Sequence, residues 1–296
     1  MAIPESQLET WSHQGAVTTS SNTYNSIRGT LKDANAPYAG KDFDVFLQGS
    51  YGNDTNIRAD SDVDVVIQLN STFHQDLSQL PPEQIAAYQQ NFSNATYGFS
   101  DFRREVVSHL QSTYGSTVAV LGKKAVKIGA ASGRLVADVI VCCQYRYYRS
   151  FYSSSNQQYD EGIYLQASNG ETVINYPKQH STNCTAKHQA TSQWFKPTVR
   201  MFKNMRGRLI DNRAITLDNA PSYFIEGLLY NVPDDQFGQS LNDTFCNCVN
   251  WLRKTDRSKF VCANGKVWFF GNSSVQWSQD NCVRFLDSLV GLWNGW

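Results

Sequence analysis

The spacing of apolar positions divides this chain into a strand-bearing first part and a mostly helical second part. Over residues 6–33 sparse apolar points at Leu8, Trp11, Ala16, Ile27 and Leu31 stand among polar residues, which predicts one long surface helix. Residues 42–48 (DFDVFLQ) and 63–69 read as strands joined by a Gly-Ser loop. Ser100 reads as a helix cap ahead of Phe102, Val106, Leu110 and Tyr114, with Gly115 closing the helix. Three short apolar runs follow at 118–121, 125–128 and 135–143, the last two separated by a Gly/Ser turn at 129–133. This order suits an α+β lobe. From 148 to 190 the chain is rich in Ser, Asn, Gln and Tyr, which predicts a connector with some strand around 162–166. Helices are expected near 196–208, 221–231, 241–253 and 278–293. The expected organisation is a core lobe over 1–150 and a helical lobe over 151–296.

Composition changes the picture in three ways. With 296 residues, 41% of them hydrophobic and 13% aromatic, the chain can bury a sizeable core, as one large domain or two smaller ones. No stretch approaches the roughly 18 apolar residues of a membrane span, and MAIPESQLETWSHQ lacks the basic and apolar regions of a signal peptide. A cytoplasmic location without membrane association is the expectation. Lys+Arg and Asp+Glu both number 26, a balance that favours a small substrate over long nucleic acid.

The seven cysteines read as reduced thiols, and the Asn-x-Ser/Thr triplets at Asn70, Asn94 and Asn272 as chance matches. Cys246 and Cys248, Cys142 and Cys143, and Cys184 near His180 and His188 do not reproduce the C-x₂₋₄-C pairs of structural zinc sites, so core packing is expected for them.

The densest chemistry lies in 46–69, FLQGSYGNDTNIRADSDVDVVIQL. Asp62 and Asp64 are two apart, so on a strand both carboxylates project from one face, while Val63 and Val65 face the other way. Adjacent carboxylates repel, and a divalent cation relieves the repulsion. A solvated strand end is the plainer reading of an Asp-x-Asp pair. Asp138, the one charged residue in 135–141, shares a face with Val136 and Ile140, where an ionised group is costly without a compensating positive charge. A metal shared with Asp62 and Asp64 would supply it, as would an ion pair with Arg134 or a nearby lysine, or exposure on an edge strand. Gly49 and Ser50 suit a phosphate cradle, although many Gly-Ser pairs are ordinary turns. Lys196, Arg200 and Lys203 share one helix face, which could close over phosphates or simply be solvated. Pro221 suits a first helical position, so Ser222 would sit at a positive helix end. Tyr223 could stack on a base or fill the core.

These residues together resemble the CD-NTase family of bacterial signalling enzymes. Its members are cyclic GMP-AMP synthase/DncV-like relatives of the oligoadenylate synthases, within the polymerase-β-like nucleotidyltransferases. The resemblance rests on Gly49-Ser50-Tyr51, Thr55, Ser61-Asp62-Val63-Asp64, Asp138, Phe195-Lys-Pro-Thr-Val-Arg-Met-Phe-Lys203-Asn and Ala220-Pro-Ser-Tyr223-Phe-Ile-Glu226. It spans both parts of the chain. It implies a two-lobed α+β fold, a mixed sheet with helices plus a helical lobe, with the long first helix as a spine. It implies Asp62, Asp64 and Asp138 as catalytic ligands of two Mg²⁺ ions, with Mn²⁺ as a possible substitute. Gly49, Ser50, Ser61, Lys203 and Ser222 would bind the nucleotide, with Tyr223 stacking on its base. The implied activity joins ATP, GTP or pyrimidine NTPs into a cyclic di- or trinucleotide with release of pyrophosphate. The product would act on a separate effector in anti-phage defence (CBASS) in the bacterial cytoplasm, with no nucleic acid required. The zinc insertion of the animal synthase has no counterpart in the Cys/His spacing. Competing readings are a template-independent RNA-tailing or small-molecule nucleotidyltransferase, and a non-catalytic nucleotide-binding module.

Overall fold

The computed structural model of the chain describes residues 2–15, 17–57 and 62–296. Its elements run α1 (Glu5–Ser12), α2 (Thr18–Leu31), β1 (Phe43–Gln48), the helical turn α3 (Gly49–Gly52), β2 (Val63–Asp76), α4 (Pro82–Asn91), α5 (Phe99–Tyr114), β3 (Ala119–Leu121), β4 (Val126–Ile128) and β5 (Ala137–Ser153). They continue with β6 (Asn156–Gln166), β7 (Thr172–Asn175), α6 (Pro177–Ala190), α7 (Phe195–Asp211), α8 (Ser222–Tyr230), α9 (Leu241–Lys254) and α10 (Gln279–Asn294). Among the described residues no helix is long and apolar enough to cross a membrane. The fold is α+β, and its contacts divide it into two compact units. One comprises 18–48 and 62–177, the other 1–17, 49–61 and 178–296. These units are drawn differently from the 1–150 and 151–296 division expected from sequence.

In the first unit the strands form one mixed sheet of order β1-β2-β5-β4-β3, with β6 and β7 continuing from the far part of β5. Strands β2 and β5 run parallel, and every other strand pair is antiparallel. Val63, Val65 and Ile67 of β2 and Ala137, Val139 and Val141 of β5 are buried, alternating with half-exposed Asp64, Asp138 and Ile140. The period of two therefore sends the aliphatic chains to one side and the carboxylates to the other. Helices α2 and α5 pack against the sheet. The α5 residues Phe102, Val106 and Leu110 are wholly buried, each stabilising by about 1.5–3 kcal/mol. The Thr23 hydroxyl of α2 accepts the Leu135 N–H at 2.9 Å, pinning the chain just before β5.

Three sequence expectations need correction. The single helix over 6–33 is two helices, because the chain turns extended at His13 and Gly15 donates its N–H to the Asn56 carbonyl at 3.1 Å. The cap of α5 is Gly98 rather than Ser100, with the Asp101 carboxylate accepting the Gly98 N–H at 3.2 Å. The connector expected after 148 is the end of β5 followed by β6, β7 and α6, with the strand expected at 162–166 lying within β6. Its tyrosines favour strands, and Tyr148 and Phe151 are buried with Leu80 and Tyr88 in a small second core. Helix α4, which contributes Tyr88, went unpredicted.

The second unit is helical, and α7 through α10 lie within a few residues of expectation. Its core gathers Phe195, Phe202, Phe224, Phe269 and Phe285 with many aliphatic residues. The Glu5 carboxylate accepts the Leu241 and Asn242 N–H groups at 2.6 and 2.9 Å. An anion at that helix N-terminus ties α1 to α9. A methyl added at Gly227 would stand 2.5 Å from the Phe269 ring, which is itself stacked on Phe224 and cannot withdraw. Gly227→Ala should therefore destabilise by about 1–3 kcal/mol despite the better helix propensity of alanine. Urea unfolding of the two proteins checks this, and equal midpoints would count against it.

Candidate functional site

In the sheet unit the register places the acidic residues side by side. Asp64 of β2 pairs directly with Asp138 of β5, and Lys127 of β4 pairs with Asp138 from the other flank. Neighbouring strands lie about 4.8 Å apart, so directly paired residues share a face as well as a position. Asp62 precedes β2 at the same parity as Asp64. Its carboxylate accepts Lys127 Nζ at 3.0 Å. On the remaining flank Gln48 of β1 pairs with Asp64, and its buried Oε1 has no hydrogen-bond partner among the described residues.

The electrostatics follow from this row. Half-buried Asp138 has its pKa raised, first by burial and then by the charge of Asp62, with Lys127 opposing. Lys127 is raised in turn by its hydrogen bond to Asp62 and by the charges of both aspartates. Three carboxylates thus share one face with a lysine that is 57% exposed. An all-oxygen, net negative donor set suits a hard divalent cation such as Mg²⁺. Arg134, an alternative partner for Asp138 in the sequence reading, instead donates to the Gly129 carbonyl at 3.0 Å.

The other sequence-flagged residues lie in the helical unit. Gly49 holds φ at 68°, a backbone that glycine adopts freely, and opens the helical turn Gly49–Gly52. Lys203 is 1% exposed, and its Nζ donates to Ser50 Oγ (3.1 Å), Thr55 O (3.2 Å), Thr55 Oγ1 (2.9 Å) and Glu226 Oε1 (2.7 Å). Glu226 is wholly buried, and also accepts from Thr55 Oγ1 (2.5 Å), Asn53 Nδ2 (2.9 Å) and His180 Nε2 (2.8 Å). Burial alone would raise the Glu226 pKa, but Lys203 and His180 outweigh it and hold the carboxyl well below its ordinary value. Burial in turn lowers the Lys203 pKa, against the attraction of Glu226. Four donors around one carboxyl identify it as ionised.

The rest of the basic face of α7 grips the same loop. Lys196 Nζ meets Asp54 Oδ2 at 2.8 Å, and Arg200 donates to the Asp54 and Ser12 carbonyls at 2.6 and 2.5 Å. Ser222 opens α8, where its hydroxyl accepts from Arg206 Nη1 at 3.3 Å. The Tyr223 ring lies 4.2 Å from the His180 ring at a tilt of 35°. The structure thus joins Gly49, Ser50 and Lys203 in one cluster, and Asp62, Asp64 and Asp138 in another. Ser61 lies outside the described residues.

Sequence reasoning did not single out Lys127, and gave no role to Glu226 or His180. Lys127 stands between buried Val126 and Ile128, an alternation too short to stand out. Glu226 is the lone charge in Phe224–Leu229, the same signal that marked Asp138, but on a helix. His180, Cys184 and Glu226 bring one ligand atom each to within 4.8 Å of one another. Both Glu226 oxygens already receive two donors, one of them a buried ammonium, and burial pushes the Cys184 thiol well above its ordinary value. That nitrogen and sulfur set is also unlike the oxygen cage Mg²⁺ takes.

Comparison with known proteins agrees over the whole chain. The family model for the cGAS/DncV-like nucleotidyltransferase C-terminal helical domain matches residues 182–294. The chain is 47% identical over 296 residues to a protein named cyclic UMP-AMP synthase from Rhodothermus marinus (strain SG0.5JP17-172), covering 100% of this chain and 99% of that one. It is 37% identical over 302 residues to cyclic nucleotide synthase CdnE01 of Staphylococcus haemolyticus, covering 100% of both. The solved structure of Rhodothermus marinus CdnE c-UMP-AMP synthase with Apcpp and Upnpp matches at a TM-score of 0.90 and 46% identity, covering 99% of this chain and 97% of that one.

Proposed function

The chain belongs to the cGAS/DncV-like nucleotidyltransferases that make cyclic nucleotides, and from that premise we propose its substrates, its cofactor and the work of each residue. It is an enzyme that joins NTPs into a cyclic nucleotide, and the proposed pair is ATP and UTP. That choice follows the relative at 47% identity named cyclic UMP-AMP synthase, whose kin was solved with Apcpp and Upnpp.

Asp62, Asp64 and Asp138 are the proposed ligands of two Mg²⁺ ions, with Mn²⁺ able to substitute. When bound, the cations would neutralise charge on the attacking hydroxyl and the leaving pyrophosphate. The chain's own contribution is a row of carboxylate oxygens in which strand register fixes Asp64 and Asp138, with Asp62 just ahead of β2. The observation that carries the reading is the direct pairing of Asp64 with Asp138 on one face. Gly49 and Ser50 are proposed to receive the triphosphate, with Lys203 behind them. Ser222 and Tyr223 are proposed on the nucleotide side of α8. A role for Ser61 rests on the motif alone.

In the reaction a ribose hydroxyl of one nucleotide attacks the α-phosphorus of another. A new P–O bond forms, the α–β bridging P–O bond breaks, and pyrophosphate leaves while the hydroxyl proton passes to solvent or base. A second transfer closes the ring. The product is proposed to act on a separate effector in anti-phage defence.

Incubation with α-labelled ATP and UTP, followed by phosphatase, tests this. The expected result is a labelled product that survives phosphatase, forms only when both nucleotides are present, and has the mass of a mixed cyclic dinucleotide. A phosphatase-sensitive linear oligonucleotide would favour the tailing activity instead.

A further inference from the structure

We propose that Glu226 is a positioning residue for nucleotide binding, acting through Lys203 and Thr55 to present the Ser50 hydroxyl as a donor to a phosphate oxygen. The inference rests on the reading of Gly49 and Ser50 as the triphosphate cradle. Glu226 is wholly buried, so it can reach a nucleotide only through other groups. Its four donors come from the 53–55 segment, from α6 and from α7. It is therefore one point at which the loop is fastened to the helices, beside the Lys196 and Arg200 contacts to Asp54.

The direction of the hydrogen bonds gives the network its consequence. An ammonium has three N–H donors and no acceptor. Those of Lys203 are shared among Ser50, both Thr55 oxygens and Glu226. The Ser50 oxygen thus accepts from Lys203, which leaves its single O–H free to donate elsewhere. A phosphate oxygen bonded there would meet a hydroxyl polarised by a desolvated cation, and charge-assisted chains of this kind are the stronger ones. Glu226 keeps that cation ionised despite burial. Thr55 does two jobs, accepting from Lys203 and donating to Glu226. Removing its hydroxyl breaks both links without leaving a bare charge.

Glu226→Gln and Thr55→Val test the idea, with Ser50→Ala combined with each. Calorimetry with a non-hydrolysable ATP analogue reads binding independently of turnover, and kinetics separate KM from kcat. Each variant is expected to weaken analogue binding and raise KM about tenfold, with kcat changed less than about threefold. Adding Ser50→Ala should cost little more, because the effect already runs through that hydroxyl. A purely structural role would lower the unfolding midpoint but leave KM and analogue binding at wild-type values, and that result overturns the proposal. Full additivity with Ser50→Ala overturns it as well. Should Glu226→Gln fail to fold, Thr55→Val carries the same test. If the wild type makes no cyclic product yet the variants still lose analogue binding, the proposed reaction fails while the positioning role stands.

Discussion

Asp138→Asn is expected to reduce product formation by about a thousandfold while the protein stays folded. The magnitude follows from the several kcal/mol of transition-state charge stabilisation that a bound cation supplies, at about 1.4 kcal/mol per factor of ten. Asparagine keeps the shape and loses the charge. Stability should hold or rise, because the native surroundings disfavour the ionised Asp138 through burial and Asp62. A carboxyl whose pKa is raised by folding opposes folding when ionised, and that cost is present above the unfolded-state value. The substitution removes it. Steady-state kinetics and thermal unfolding of the same preparation give both readings. A variant that is inactive because it has unfolded would remove the argument for a catalytic role.

Lys203→Met carries the largest expected loss of stability. It leaves the Glu226 carboxylate buried beside Thr55, Asn53 and His180 with its main countercharge gone. Breaking a buried pair from one side costs about 3–5 kcal/mol, a fall in Tm on the order of 10 °C for a chain of this size. The double variant Lys203→Met/Glu226→Leu should recover most of that loss, since no bare charge remains, yet should still bind nucleotide poorly. The pH dependence has a definite sign. Because Glu226 is held below its ordinary value, its contribution to stability is complete above about pH 4.3, the unfolded-state pKa. It is lost as pH falls through the lower native value. The single variant instead gains on protonation of Glu226, so its deficit should narrow in acid. Urea unfolding at neutral pH and at pH 4 would show the narrowing, and a constant gap would contradict the ionised pair.

The carboxylate row was readable in sequence because strand alternation is local. Asp62 and Asp64 share parity, and Asp138 stands alone among aliphatic residues, so a shared face followed from spacing. Which residue of β5 would oppose Asp64 was not local information, and the parallel register supplies it. Lys127 was missed because β4 is three residues long. Glu226 closed a quoted motif but received no role, because its partners, Asn53, Thr55, His180 and Lys203, are scattered along the chain. The basic face of α7 was visible as a stripe, but not that it grips the 50–56 segment rather than meeting water. Helical periodicity placed α7 through α10 well. The same reasoning ran α1 into α2, where Gly15 and a backbone contact to Asn56 interrupt the helix. It also read most of a tyrosine-rich hairpin as a connector, with strand only at 162–166, because its polar residues hid the buried Tyr148 and Phe151.

Titration of Mn²⁺ into the protein with a non-hydrolysable NTP analogue, followed by calorimetry or spin resonance, bears most directly on the acidic face as a divalent-cation centre. Wild type should take up the ion, and Asp64→Asn and Asp138→Asn should each lose at least about tenfold in affinity while remaining folded. Equal uptake by all three proteins would contradict that assignment.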